Sequence, residues 1–149
     1  MSEGLRDVYR QRVLEHSKHP RNRGRLAAAN REALGFNPLC GDKLTVYLEE
    51  RDGVIHDIAF DGTGCAISVA SASMMTTALR GHSVAEARSA IAEIDAMLSS
   101  ATLPSLSFLQ DLSALENVRA YPSRVKCATL AWRTLEGALD QATQSITTE

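Results

Sequence analysis

The chain has 149 residues, a length at which one domain buries a substantial hydrophobic core, so we expect residues 1–149 to form a single domain. Its formal net charge of -2 argues against a general nucleic-acid-binding protein, because tracking phosphates needs an excess of Lys and Arg. No stretch approaches the roughly 18 apolar residues of a membrane span, and the charged N-terminus argues against a signal peptide, so we expect a cytoplasmic protein without a membrane partner.

A helix is predicted over residues 3–16, where apolar side chains recur at roughly helical spacing, and Pro20 and Gly24 follow as helix-breaking residues. The spacing rests on Leu5, Val8, Tyr9 and Val13. The basic stretch at residues 18–25 permits two interpretations, a solvated loop after the helix or a docking surface for an acidic partner.

A β-hairpin is predicted next, with strands at residues 43–50 and 54–61 on either side of a turn at Asp52 and Gly53. Apolar and polar residues alternate along these segments, and an Asp-Gly pair between two such segments is a strong hairpin signal. A third strand is expected at residues 31–36, where the alternation is weaker.

Four helical segments are predicted after the hairpin. They lie at residues 66–79, from Ser83 to about Leu98, at residues 108–117, and from Pro122 onward. Ser83, followed three residues later by Glu86, forms a capping box that begins the second of these helices. In the first of them, Ser68, Ser71 and Ser73 are expected to allow close helix packing.

The order of the elements predicts the fold class. A helix, then strands, then helices indicate an α+β domain, with a small antiparallel β-sheet of about three strands and helices packed on one face. The polar tail from Gln141 onward is expected to be frayed rather than to add a further element.

The three cysteines all lie where an element begins or ends. Cys40 is in the loop before the first hairpin strand, Cys65 follows the second strand, and Cys127 is in the first turn of the last helix. Because a hairpin places the start of one strand beside the end of the other, Cys40, Asp42 and Cys65 are expected at the same end of the sheet. The helix N-termini near Cys65 and Cys127 favour thiolates.

This residue set permits several kinds of chemistry. Three thiolates and a carboxylate make four ligands, the number that tetrahedral zinc takes, and three thiolates also serve iron–sulfur clusters. One reactive cysteine beside two inert thiols, or three structural cysteines, remain alternatives, although structural disulfides are rare in the cytoplasm. The long interval between Cys65 and Cys127 excludes a local zinc-finger knuckle.

Four segments of the sequence resemble the U-type iron–sulfur cluster assembly proteins, and within them the SufU branch. The segments are VYRQRVLEHSKHPRNRG at residues 8–24, NPLCGD at 37–42, GTGCAISVASASMMT at 62–76 and RVKCATLAW at 124–132. Lys126 stands where scaffold-type members carry a histidine, and the stretch at residues 99–117 is longer than in that branch, so both features are similar to SufU. The resemblance implies a compact, SufE/NifU-like α+β fold.

The resemblance also implies a metal site and a partner. The implied metal ligands are Cys40, Asp42, Cys65 and Cys127. The implied function is that of a zinc-binding sulfur acceptor, a sulfurtransferase that receives persulfide sulfur from a SufS-like cysteine desulfurase and passes it to recipient apo-proteins or a cluster scaffold. Cys40 is the first candidate for the acceptor and Cys127 the second. Arg124 is either a guide for the persulfide or a partner contact, or simply an exposed arginine.

Two other functions remain open at this point. The first is a scaffold on which a [2Fe-2S] cluster is assembled and transferred to apo-proteins, in which case the site holds the cluster instead of Zn²⁺. The second is a passive interaction module stabilised by zinc. Both remain open because thiolates bind zinc as well as iron–sulfur clusters. Asp42 is a harder and weaker ligand than a thiolate, so we expect it to make the site more labile.

Overall fold

Helices packed on one face of a sheet make up the structure, which confirms the predicted α+β class. The computed structural model describes residues 3–100 and 102–148, and of residues 3–9 it describes the backbone alone. The elements are α1 (Glu3–Lys18), β1 (Arg31–Asn37), β2 (Asp42–Arg51), β3 (Val54–Thr63), α2 (Ala66–Leu79), α3 (Val84–Ser100), a 3₁₀ segment (Ser107–Ala120), α4 (Pro122–Leu139) and β4 (Ile146–Thr147). None of the helices described has the length and apolar character that crossing a membrane requires.

The first helix forms where the sequence predicts it and extends to Lys18. Three of the four apolar residues behind that prediction, Leu5, Val8 and Tyr9, have side chains outside the described part of the structure. The fourth, Val13, is half-buried against the core.

In the described residues the sheet has four strands, in the order β3-β2-β1-β4, where about three were predicted. Strands β1, β2 and β3 are antiparallel neighbours, and β4 pairs in parallel with β1 through Ile146 opposite Gly35. The prediction that the tail is frayed is therefore wrong at β4. Two residues are too few to show an alternating pattern. Ile146 also depends on Gly137 of α4, where a Cβ would lie 2.7 Å from the Ile146 Cγ1.

The β2–β3 hairpin is confirmed. Its turn has positive φ at both Asp52 (53°) and Gly53 (79°), the combination that a type I′ turn requires. The register pairs Lys43 with Thr63, so the start of β2 lies beside the end of β3. The core-facing side chains of β2 are fully buried at Leu44, Val46 and Leu48.

The predicted close packing of α2 is confirmed at Ser71, a residue of α2 whose side chain contacts α4. Its hydroxyl donates to the carbonyl oxygen of Ala128 at 2.6 Å and accepts the indole N–H of Trp132 at 3.0 Å. Both Ser71 and Trp132 are fully buried. The small side chain therefore lets the two helices approach and also satisfies the buried indole donor.

The capping box at the start of α3 is confirmed, because the Glu86 N–H donates to Ser83 Oγ and the Ser83 N–H donates to Glu86 Oε1, each at 3.0 Å. The helix predicted at residues 108–117 is a 3₁₀ segment and is longer than expected. It buries its apolar residues in the core, at Leu109, Leu112, Ala114, Leu115 and Val118.

The basic stretch at residues 18–25 is an ordered loop along the free edge of β3. The Gly24 N–H donates to the Phe60 carbonyl at 2.7 Å, and the Phe60 N–H donates to the Asn22 carbonyl at 3.1 Å. Covering the edge in this way prevents another strand from adding to it. That this stretch docks an acidic partner stays a prediction.

Gly35 of β1 lies directly against α4, and we predict that Gly35→Ala destabilises the protein. A Cβ there would lie 1.9 Å from Thr134 Oγ1, so β1 and α4 would have to move apart. We expect the free energy of unfolding, measured by urea denaturation, to fall by about 1–3 kcal/mol, the usual effect of overpacking. Adding Thr134→Ala removes the clashing oxygen and should recover part of the loss. Equal stability of Gly35→Ala and the wild type would contradict this close contact.

Candidate metal centre

Four candidate ligands come from four different parts of the fold. Cys40 lies in the turn between β1 and β2, Asp42 begins β2, and Cys65 is the N-cap residue of α2. The Cys65 N–H donates to Asp42 Oδ1 at 2.8 Å, which places the end of β3 beside the start of β2 as the hairpin geometry predicts. Helix α4 adds Cys127 to this end of the sheet.

The donor atoms of three of these residues form one tight group. Cys40 Sγ, a carboxylate oxygen of Asp42 and Cys127 Sγ all lie within 4.8 Å of one another, and the two sulfurs are 3.2 Å apart. The Sγ of Cys65 does not meet this limit to all three atoms and lies 3.7 Å from Ser68 Oγ. The structure therefore brings three of the predicted ligands together, and the fourth, Cys65, lies just outside this group.

The three thiols differ in their exposure to solvent. Cys40 is exposed, Cys65 is half-buried and Cys127 is buried. The turn that carries Cys40 also exposes its neighbour Leu39, whose relative exposure is 63%. An approaching reagent or protein therefore reaches Cys40 first.

Asp42 is a buried carboxylate that accepts three hydrogen bonds from described residues, and its relative exposure is 1%. Besides the Cys65 N–H on Oδ1, its Oδ2 accepts the Ser68 hydroxyl at 2.7 Å and the Asn37 Nδ2–H at 3.1 Å. Burial raises the pKa of Asp42, but the hydrogen bonds outweigh burial, so its pKa lies below the ordinary value. The carboxylate is held in its charged form at the N-terminus of α2.

Gly62 allows the end of β3 to lie close to the start of β2, where Asp42 is located. Its φ is 127°, a conformation that side-chain-bearing residues rarely adopt, and a Cβ there would lie 2.1 Å from the Lys43 carbonyl oxygen. Only glycine therefore lets the end of β3 lie this close to the start of β2 and lead directly into Cys65.

Cys127 lies one turn deeper in its helix than the sequence predicts. Helix α4 begins at Pro122, so Cys127 is in the second turn, beyond the region where the helix N-terminus stabilises a thiolate. Burial raises the pKa of the Cys127 thiol, and the neighbouring thiols and the Asp42 carboxylate raise it further. In the protein without a bound cation, the prediction that the helix N-terminus favours the Cys127 thiolate is therefore wrong.

For two residues of the site, the sequence did not predict the contacts that the structure shows. Ser68, interpreted only as a packing residue, donates to Asp42, and Asn37, which received no role, donates to both Asp42 and Cys127. A signal for Asn37 did exist, because it follows Ala33 and Gly35 at the period of two that marks the core-facing side of β1. A polar residue at such an inward position needs a partner.

Arg124, the remaining candidate, lies in the first turn of α4 on the exposed surface. Its guanidinium lies over the ring of Tyr121, with 4.8 Å between its Cζ and the ring centroid. Among the contacts of the described residues, none joins Arg124 to a cysteine sulfur. Its predicted role as a guide or partner contact therefore stays a prediction.

The chemistry of the donor set fits a thiophilic cation. Cysteine and aspartate are among the ligands of tetrahedral zinc sites, and the same thiolates suit an iron–sulfur cluster. Asp42 takes part in none of the ion pairs formed by the described residues. A bound metal would supply the positive charge that this group of acids lacks.

The chain is similar to known proteins along most of its length. The family described as NifU-like N terminal domain matches residues 8–147. The zinc-dependent sulfurtransferase SufU of Bacillus subtilis is 38% identical over 132 residues, which cover 89% of this chain and 89% of that protein. The iron-sulfur cluster assembly scaffold protein IscU of Thermotoga maritima is 38% identical over 132 residues, which cover 89% of this chain and 92% of that protein. The solved structure of a nitrogen-fixing NifU-like protein (N-terminal) from Brucella abortus superposes with a TM-score of 0.83 at 32% identity and covers 92% of this chain and 95% of that one.

The hydrogen bonds of Asp42 predict how the metal-free protein responds to acid. Its folded pKa lies below the ordinary value, so the stability that it contributes is present above its unfolded pKa, about 3.9, and is lost as pH falls through the folded pKa. After chelation of all metal, the free energy of unfolding should therefore decrease less steeply in acid for Asp42→Asn than for the wild type. Ser68→Ala, which removes one donor, should be intermediate. Parallel curves for the three proteins, measured by urea denaturation from pH 7 down through about pH 3, would contradict this assignment.

Proposed function

The chain belongs to the family of NifU-like N-terminal domains, and on that premise we propose that it is a zinc-binding sulfur acceptor in iron–sulfur cluster assembly. The observation that carries the proposal is the group of donor atoms from Cys40, Asp42 and Cys127 within 4.8 Å, with Cys65 at its border. A SufS-like cysteine desulfurase is the proposed sulfur donor. Recipient apo-proteins or a separate cluster scaffold are the proposed destinations of the sulfur.

The proposed metal ligands are Cys40, Asp42, Cys65 and Cys127. Zinc bound by them would supply the positive charge that keeps the thiols deprotonated in a largely buried place. The relative from Bacillus subtilis, named as zinc-dependent, supports zinc as the metal. Asp42 enters this ligand set already charged, because Ser68 and the start of α2 hold its carboxylate in the ionised form.

Cys40 is the proposed sulfur acceptor. It lies in a short turn and is exposed, whereas Cys127 is fixed in a helix and buried, so Cys40 moves with the smallest loss of other contacts. Its thiolate attacks the outer sulfur of the desulfurase persulfide. The sulfur–sulfur bond of that persulfide breaks, the outer sulfur stays on Cys40, and the desulfurase cysteine leaves as a thiolate. Cys127, with its sulfur 3.2 Å from that of Cys40, is the second candidate.

Arg124 is proposed to act as a contact to the partner protein. The ring of Tyr121 restrains its guanidinium, which reduces the side-chain entropy lost when a partner binds. The two side chains border an open groove with a volume of about 480 Å³, together with the apolar Ile67 and Val13. Such an exposed aromatic and arginine pair is typical of contact surfaces between proteins.

A scaffold for a [2Fe-2S] cluster is the second candidate function. It is favoured by the same group of thiols, because three cysteines and an aspartate also offer ligands to a cluster. The relative from Thermotoga maritima, named as a scaffold, supports it as well. In that case the cluster is the cargo of the protein rather than a resident cofactor.

Metal content separates the two candidate functions. We expect protein purified without oxygen to contain about one zinc ion per chain and to show no visible absorption, because the site offers a single set of ligands. Elemental analysis and an absorption spectrum measure this directly. A brown protein with equal amounts of iron and sulfide would instead establish the scaffold function.

The acceptor assignment predicts that Cys40→Ala takes up no sulfur from a cysteine desulfurase supplied with cysteine. Cys127→Ala is the matched control, because it also lacks one thiolate ligand but keeps the exposed Cys40, and we expect it to retain measurable uptake. Mass spectrometry of the alkylated protein detects the added sulfur and its position. Uptake by Cys40→Ala at the wild-type rate would remove Cys40 as the acceptor.

A further inference from the structure

A buried asparagine contacts two of the proposed metal ligands at once. Asn37 is the last residue of β1, and the strand register places it opposite Asp42. It is fully buried, with a relative exposure of 0%. Its Nδ2 lies 3.1 Å from Asp42 Oδ2 and 3.4 Å from Cys127 Sγ, so the two N–H groups of one amide serve an oxygen and a sulfur.

The other end of the same amide has no partner. Asn37 Oδ1 is buried and accepts no hydrogen bond from any described residue. A buried carbonyl oxygen without a donor is unfavourable, so an apolar side chain of similar size would suit a purely structural position better. What the asparagine provides here is its two donors, and both are directed at candidate ligands.

A turn-forming role does not account for Asn37. Asparagine in a turn typically hydrogen-bonds the backbone about two residues further on. The described partners of Asn37 are instead the carboxylate of Asp42 and the thiol of Cys127, a residue of α4. The amide therefore connects the turn that carries Cys40 to the helix that carries Cys127.

We propose that Asn37 is a positioning residue of the metal centre, which holds the Cys127 sulfur and the Asp42 carboxylate together as ligands. This inference rests on the metal site of the proposed function. Hydrogen bonds to a ligand fix its orientation and change how strongly it donates electrons to the metal. Each carboxylate oxygen of Asp42 has two acceptor sites. Asn37 and Ser68 occupy both sites of Oδ2, and the Cys65 N–H occupies one site of Oδ1, so the site left for a metal is on Oδ1.

Two variants that lack the donors but differ in volume test this role. Asn37→Leu fills the space of the asparagine, whereas Asn37→Ala leaves a cavity. The protein is loaded with zinc, and the rate of zinc release to a coloured chelator is measured beside the urea midpoint of the metal-free protein. We expect both variants to release zinc roughly tenfold to a hundredfold faster than the wild type, the usual effect of removing a hydrogen-bond partner of a ligand. We also expect metal-free Asn37→Leu to be more stable than Asn37→Ala.

Cobalt in place of zinc gives a readout that packing alone would not change. Without the N–H bond, the Cys127 sulfur is more electron-rich, so the sulfur-to-cobalt charge-transfer band should move to longer wavelength in both variants. Thr134→Val is the matched control. Thr134 is also fully buried between β1 and α4, but its hydroxyl donates to the Leu130 carbonyl at 2.7 Å and contacts no ligand. It should leave the release rate and the band unchanged.

The outcomes separate this inference from the proposed function. Wild-type protein that takes up neither zinc nor cobalt overturns both. Wild-type protein that binds both metals, with Asn37→Leu and Asn37→Ala showing the wild-type release rate and band, overturns the inference alone. Release rates that simply follow metal-free stability, or loss of the metal-free fold in both variants, would assign Asn37 a structural role and also overturn it.

Discussion

A buried carboxylate at the start of a helix is the contact on which the rest of this structure depends. Asp42 accepts the Cys65 N–H at 2.8 Å and the Ser68 hydroxyl at 2.7 Å, and both donors belong to the N-terminal end of α2. A charge with a relative exposure of 1% is tolerable only with such donors, which the helix dipole reinforces. Because Asp42 also begins β2, the same contact fixes where the sheet meets the helix and thereby where Cys65 lies relative to Cys40.

The second constraint is that this end of the molecule concentrates acidic groups, while Asp42 forms no ion pair with any described residue. Burial and the neighbouring thiols raise the pKa of Cys127, while Asp42 stays charged. Proton release from the Cys127 thiol is therefore favoured by a positive charge, which a thiophilic metal would provide on binding the thiolate. Under the proposed function, metal binding and thiol activation are therefore one event at this site. Exposure then favours Cys40 as the acceptor, because Cys40 is exposed while Cys127 is buried.

Local patterns were sufficient to predict most of the fold and to place Cys40, Asp42 and Cys65 at one end of the sheet, whereas Cys127 joined this set only through the family resemblance. The Asp52 and Gly53 turn determined the hairpin, and the hairpin determined that Asp42 lies beside Cys65. What local patterns missed depends on contacts between distant segments. Strand β4 exists because a two-residue segment fits against Gly137 of α4, and nothing within that segment indicates it. The burial of Cys127 likewise follows from the packing of α4 on the sheet.

Asn37 and Cys127 link the candidate metal centre to the stability of the fold. In the protein alone, Asn37 Oδ1 accepts no hydrogen bond within the described part of the chain, and the Cys127 sulfur lies close to two other acidic groups. Both features weaken the native state locally, whereas a ligand that binds only the native state stabilises it by an amount that grows with the logarithm of the ligand concentration over its dissociation constant. The Cys127 sulfur, which lies among other acidic groups, is therefore the group that would gain most from a bound metal. The core includes the large, fully buried side chains of Phe60 and Trp132. Under the proposed function, this core would have to maintain the fold while a thiolate leaves the metal.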